Sequence, residues 1–352
     1  MGRGIPVLIV AGFLGAGKTT LLNHLLRGRD ARIGVVVNDF GAVNIDAMLV
    51  AGQVDAMVSL GNGCVCCAVD VDQLDEMFER LAQPRNRIDL IVVEASGLAE
   101  PRNLIRMVVG SDNPRIHYGG LLEVVDAEHF DDSRAQHPEL ATHLRLADLV
   151  VLNKADRVPA ERLDRLRGEI AELVAPAPVY ATTRGRIDPH LLFDVPERPE
   201  PTVAEQLSLD ALLTEPDHPD HDHHHLHDGY ETVTFSSATP LDPRRLVALL
   251  ENPPSGLFRA KGHADFAVEG EQRRFLFHVV GRHIVFEPDP AARGGTDIVL
   301  IGSGLDAHTA TARLRDTVHP DPEPLDARTL LGVWHHVPRE LSDALAYADV
   351  PE

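Results

Sequence analysis

Cys64, Cys66 and Cys67 are the only cysteines in the chain, and they sit together in Gly61-Asn62-Gly63-Cys64-Val65-Cys66-Cys67. Thiolates are soft ligands suited to Zn²⁺ or Cu(I), and neighbours this close can share one ion. Three of them leave a tetrahedral ion one ligand short. The fourth comes from water, a His or carboxylate, or a partner protein, and an open position favours transfer over storage. Such crowding is unsuited to a disulfide framework, although buried cysteines acting as small hydrophobes and a redox pair remain competing readings. A second group of ligands is His218, His221, His223, His224, His225 and His227, interleaved with Asp217, Asp220 and Asp222. Imidazoles on such a polar stretch bind Zn²⁺, Ni²⁺ or Co²⁺ weakly and reversibly, with a solvating linker as the alternative.

A third pattern is Gly12-Phe13-Leu14-Gly15-Ala16-Gly17-Lys18-Thr19-Thr20. Its glycines let the backbone fold tightly enough for N–H groups to converge on phosphate oxygens, and a following helix adds positive potential. Gly12, Gly15, Ala16, Gly17 and Thr20 would line this cradle. Lys18 would reach the β- and γ-phosphates, and the Thr19 hydroxyl would ligate Mg²⁺. Asn153-Lys154-Ala155-Asp156 then selects the base. A carboxylate at Asp156 accepts from both N1–H and the N2 amino group of guanine. Adenine offers no such pair and would leave the Asp desolvated, at a cost of about 1–3 kcal/mol. Lys18 and Lys154 are two of only three lysines in the chain, the third being Lys261, in a segment read here as a turn. Between the two nucleotide motifs, Asp39 and Glu94 each fall at the C-terminal end of an expected strand. They would hold Mg²⁺, directly or through water, or position the attacking water. No Gln follows Gly97 to orient that water, so unaided turnover is expected to be slow.

The elements that must position these groups read as an α/β fold, a P-loop NTPase domain with a mostly parallel sheet followed by a smaller α+β domain. Strands are expected at 5–10, 33–37, 90–94, 121–125, 149–152 and 178–181, with helical stripes at Leu74, Met77, Phe78 and Leu81 and at Leu163, Leu166, Ile170 and Leu173. Residues 1–195 form the nucleotide domain in this reading, and 196–228 an acidic, His-rich linker. From Asp194 to Asp228 there are ten acidic residues and a single Arg. The second domain spans 229–320, with strands at 230–236, 256–258, 265–268, 274–280, 283–287 and 297–301 and helices at 241–250 and 305–318. Residues 321–352 form a tail of unknown role. The net charge of −21 argues against nucleic acid or an anionic membrane as partner. No apolar run reaches about 18 residues, so no transmembrane helix is expected and the chain reads as cytoplasmic. Arg3 and the apolar stretch after it resemble a signal peptide, but Lys18-Thr19-Thr20 follow at once and make the stretch a buried strand entering a glycine loop.

GFLGAGKTT, NDFGAVNIDA, GNGCVCC, EASGLAEP, VVDA and NKAD, in this order, resemble the CobW-like branch of the P-loop metal-chaperone GTPases, related to HypB and UreG. LDPRRLVALL, GLFRAKG and DIVLIGSGLD resemble the CobW C-terminal domain, and together the matches span about residues 5–318. The resemblance implies GTP- and Mg²⁺-dependent delivery of Zn²⁺, or Co²⁺ in some members, to a client metalloprotein. The client would be met through the C-terminal domain and the switch regions, and a homodimer is compatible with this. It further implies that Cys64, Cys66 and Cys67 hold the metal and that the helix after the P-loop begins at Thr19. Many members carry a Glu where this chain has Ala42, and often a Trp near Lys261 where it has Ala264-Asp265-Phe266. Two other readings stay open at this point: a metal buffer or sensor with vestigial GTPase activity, and a P-loop ATPase or kinase with a structural zinc.

Overall fold

A computed structural model of the chain describes residues 4–28, 31–37, 56–59, 71–95, 100–194, 230–268, 274–289, 294–321 and 323–338. Its first unit runs β1 (Ile5–Gly12), α1 (Lys18–Arg27), β2 (Ile33–Val37), β3 (Ala56–Ser59), α2 (Val71–Leu81), β4 (Leu90–Glu94), α3 (Pro101–Val109), β5 (Ile116–Asp126), α4 (Phe130–Gln136), α5 (Leu140–Leu144), β6 (Leu149–Asn153), α6 (Ala160–Val174), β7 (Val179–Ala181) and α7 (Pro189–Leu192). The strands form a seven-stranded sheet in the order β3-β2-β4-β1-β5-β6-β7. Every pairing in it is parallel.

Burial on both faces explains the sequence of β1. Val7, Leu8, Ile9 and Val10 are all fully buried. Leu8 and Val10 join Leu21, Leu22 and Leu25 of α1 on one face, while Val7 and Ile9 join Leu74 and Phe78 of α2 and Leu104 of α3 on the other. Alternate residues of a strand point to opposite faces, so a strand covered on both reads as one continuous apolar run. β1 lies between β4 and β5, where the winding direction of the sheet reverses. Ligands of open α/β sheets bind outside the strand ends at such a point.

The second unit comprises β8 (Glu231–Ser237), α8 (Pro243–Glu251), β9 (Leu257–Asp265), β10 (Arg274–Val280), β11 (His283–Pro288), β12 (Thr296–Gly302), α9 (Ala307–Arg315) and α10 (Leu331–His335). Its five strands form an antiparallel sheet in the order β11-β10-β9-β12-β8. Phe266, Phe275, Phe277 and Phe286 fill its core, joined by Leu330, Val333 and Val337. Trp334 meets Phe275 edge-on at 5.4 Å. Leu330, Val333 and Val337, in the stretch read from sequence as a tail of unknown role, therefore contribute to this core.

Two short strands at 256–258 and 265–268 were expected, with Lys261 in a turn between them. The structure instead has the single strand β9, with Lys261 inside it. Gly262, beside it, pairs with Phe277 on one side and Ile298 on the other. A side chain there would collide with the backbone of Asp297, so the glycine marks a close approach of strands.

The two units share buried contacts. Phe258, Val280 and Ile301 belong to the same apolar cluster as α1 and the sheet face beneath it. Asp148, just before β6, accepts from the Arg282 backbone N–H of the second unit as well as from Tyr118 Oη (2.5 Å) and the Leu121 N–H (2.9 Å) of the first. Lys261 Nζ lies 2.5 Å from Asp194 Oδ1. Among the described residues, no helix is long and apolar enough to cross a membrane.

Candidate nucleotide site

β1 ends at Gly12, and the chain turns through Phe13–Gly17 before α1 starts at Lys18, one residue earlier than the Thr19 start expected. Gly17 precedes the helix in a left-handed conformation (φ 106°), and a Cβ there would strike the side-chain amide of Asn153. Only glycine combines that φ with that approach. Gly17 at the N-cap offers no side chain to cap α1, and the start of the helix is its positive end, which suits an anion. Gly15 (φ 78°) is open on its Cβ side. The loop meets the geometric demands of a phosphate cradle.

Lys18 is buried, with Nζ donating to the carbonyls of Gly12 (2.8 Å) and Phe13 (3.4 Å). The ammonium thus curls back over the loop. Thr19 Oγ1 donates to Glu94 Oε1 at 3.0 Å, and Glu94 is 4% exposed at the end of β4. A hydroxyl and a carboxylate oxygen meeting beside the cradle are the hard donors that suit Mg²⁺. Thr20 faces solvent.

Asn153 ends β6 and is 2% exposed. Its Nδ2 donates to the Ala16 carbonyl (3.0 Å), and its Oδ1 accepts from the Gly185 N–H (2.9 Å). One amide thereby fixes the phosphate loop to the loop after β7. Lys154 takes a left-handed conformation (φ 60°) and donates to Asp126 Oδ2 at 2.6 Å. Asp156 follows in a short 3-10 turn and is exposed.

Sequence reasoning missed several residues here. Asp126 belongs to the VVDA motif, yet its pairing with Lys154 exists only in the fold. Burial pushes its carboxyl up, but hydrogen bonds from Lys154, His129 and the Glu128 N–H outweigh this and hold it low. Asp126, Glu128 and His129 bring ligand atoms within 4.8 Å of one another. Lys154 and Arg157 already draw on the two carboxylates. Glu123 is the other omission, an acid inside the apolar run Leu121-Leu122-Glu123-Val124-Val125. It is 3% exposed, and burial pushes its carboxyl up to about 8 against the opposing pull of Lys18. Glu123 floors a cleft of about 460 Å³ whose walls include Phe13, Ala16, Phe130 and Leu144. Asp39, Cys64, Cys66, Cys67, His221, His223, His224 and His225 lie outside the described residues.

A family model described as CobW/HypB/UreG, nucleotide-binding domain, matches residues 6–181. Another, the cobalamin synthesis protein cobW C-terminal domain, matches residues 230–318. The zinc chaperone CobW of Pseudomonas aeruginosa is 32% identical over 356 residues, covering 88% of this chain and 91% of that protein. The zinc-regulated GTPase metalloprotein activator 1 of Schizosaccharomyces pombe is 32% identical over 221 residues, 60% of this chain and 50% of that one. Among solved structures, Zn(II)-bound YjiA GTPase from E. coli aligns over 90% of this chain and 100% of its own, at 24% identity and a TM-score of 0.43.

Proposed function

The chain belongs to the CobW/HypB/UreG family, and from that membership and the geometry of the phosphate loop we propose that it is a GTP-dependent metallochaperone that carries Zn²⁺ to a client metalloprotein in the cytoplasm. The observation that carries the nucleotide half is the Asn153 amide, which ties the phosphate loop to the loop after β7. GTP binds with its phosphates against the N–H groups of Gly12–Thr20 and its base against Asp156, whose two oxygens match the guanine donors. Lys18 leaves its carbonyl partners to oppose charge on the β- and γ-phosphates. The Thr19 hydroxyl, with Glu94 beside it, would hold Mg²⁺, which neutralises charge on the transferring phosphoryl group. Glu94 and Asp39 share the work of positioning the attacking water, and hydrolysis is slow without metal or client. The division of the chain into a nucleotide domain, an acidic His-rich linker and a C-terminal domain belongs to the same proposal. So does client recognition through the C-terminal domain.

The metal half rests on the chemistry of three adjacent cysteines and on relatives named as zinc chaperones. Cys64, Cys66 and Cys67 take Zn²⁺ as thiolates, with Co²⁺ as an alternative cargo, and the His221–His225 run is a weaker accessory site. The cysteines lie in sequence between the Asp39 and Glu94 segments, so GTP and GDP states present different metal geometries. Linkage makes the coupling reciprocal, and about 1–3 kcal/mol, or roughly 5- to 150-fold in affinity, is ordinary for such systems. The test is a zinc competition titration against a chromophoric chelator, run with a GTP analogue and with GDP, on wild type and Cys66→Ser. The wild type is expected to hold zinc more tightly with the GTP analogue, and Cys66→Ser to lose the tight site. Equal wild-type affinities in both nucleotides would make the two halves independent and end the chaperone reading.

A further inference from the structure

Glu123 lies in the middle of β5, paired in register with Ala11 of β1 and Val150 of β6. A carboxyl on an interior strand is costly to bury. Its Oε2 is inaccessible to solvent and has no hydrogen-bond partner among the described residues. Buried polar atoms are almost always satisfied, and an exception calls for an explanation. The charged form is held down by burial, with Lys18 the opposing influence.

The cleft above this carboxyl has a specific chemistry. Its floor is one acid, its walls include Phe13, Phe130, Leu140 and Leu144, and Asp126 and Asp132 also line it. Among the described residues, the one lysine or arginine lining it is Lys154, which is committed to Asp126 at 2.6 Å. A bare metal ion fits poorly, because Zn²⁺ or Mg²⁺ needs four to six donors and most of this surface is hydrocarbon. A cation on an aliphatic stem fits both parts. Its methylenes would lie against Leu140, Leu144 and Phe130, and its charged head would meet Glu123. Arginine suits this better than lysine, since guanidinium is planar and more weakly hydrated than an ammonium, so its desolvation beside the apolar walls costs less. Among the described residues no arginine lines the cleft. The acidity of the chain as a whole, at −21, favours a basic partner.

We propose that the cleft between the phosphate loop and α4–α5 receives an arginine side chain from a protein partner, with Glu123 as the group that binds its guanidinium. Residues 13–16 form one wall, so the docked charge would stand against the phosphate loop. The site needs no nucleotide to be present, and its test is independent of the GTPase reading.

The experiment titrates the full, nucleotide-free chain with Nα-acetyl-arginine methylamide and with its neutral isostere, Nα-acetyl-citrulline methylamide, followed by calorimetry. Wild type is expected to bind the arginine compound saturably and about tenfold or more tightly than the citrulline compound. Glu123→Gln should erase that preference. Ser133→Phe, which fills the cleft and leaves Glu123 in place, should abolish binding of both, and thermal melts establish that each variant is folded. Absence of saturable binding to wild type would overturn the proposal. So would an unchanged arginine-to-citrulline ratio in Glu123→Gln, or full binding to Ser133→Phe.

Discussion

Replacing Glu123 with Gln keeps the shape of the side chain and removes its titration, which makes the energetic cost of this buried acid measurable. The folded-state pKa stands at about 8, against 4.5 for the free side chain. Between those values the native chain holds a proton that the unfolded chain has released. Stability from this group is therefore fully present below pH 4.5 and is lost as pH rises through about 8. Each pH unit in that window removes about 1.4 kcal/mol. From pH 5 to pH 8 wild type should thus lose about 4 kcal/mol relative to Glu123→Gln. Urea unfolding of both proteins at unit pH intervals gives the comparison, and the difference between the curves is diagnostic. The absolute curve is not, because Asp148 is also raised by burial, to about 6, and titrates in the same window. Parallel wild-type and variant curves across pH 5–8 would show that Glu123 is ionised in the fold, and the argument from its burial would be wrong.

Asn153→Ala strips partners from the Ala16 carbonyl and the buried Gly185 N–H, and should cost about 1–3 kcal/mol in unfolding free energy together with a loss of nucleotide affinity; unchanged affinity would separate the two loops functionally. Asp156→Asn replaces one acceptor with a donor, so GTP should bind about tenfold or more weakly while xanthosine triphosphate gains; unaltered GTP binding in a fluorescence titration would remove Asp156 from base recognition. Tyr118→Phe takes one donor from the buried Asp148 carboxyl and should lower stability by about 1–3 kcal/mol by chemical denaturation; a neutral effect would show that the Leu121 and Arg282 N–H groups suffice.

Local signals made part of this structure readable. β1 and the glycine loop that follows it were legible from an apolar run and glycine spacing, both properties of adjacent residues. Asn153 and Lys154 were legible for the same reason. Features that depend on distant chain were not. β5 was expected from residue 121 but begins at Ile116. In the fold Gly120 sits at φ 111° with Val280 and Phe258 of the other unit packed against it, and the register against β1 shifts between Val7 and Leu8. The short strand β3, the continuity of β9 and the docking of Trp334 likewise rest on contacts made only after folding. Glu123 was visible as an acid in a hydrophobic run, but its meaning came from the cleft above it. The roles assigned to Asp39 and the cysteines stand on sequence chemistry and family membership.

Phe258, Val280 and Ile301 carry a mechanical consequence. They come from the second sheet, yet they complete the hydrophobic cluster built by α1 and β5 of the first. A chain cut before Tyr230 would strip that cluster of three large apolar side chains and leave a greasy scar on the back of the nucleotide-facing unit. The halves are thus poor candidates for separate expression, and heat should melt them in one transition. Close-packed interiors also transmit displacement instead of absorbing it. A small shift of β5 under a ligand would press directly on the β10–β11 hairpin through Gly120 and Val280, so the far sheet behaves as a stiff lever bolted to the engine block.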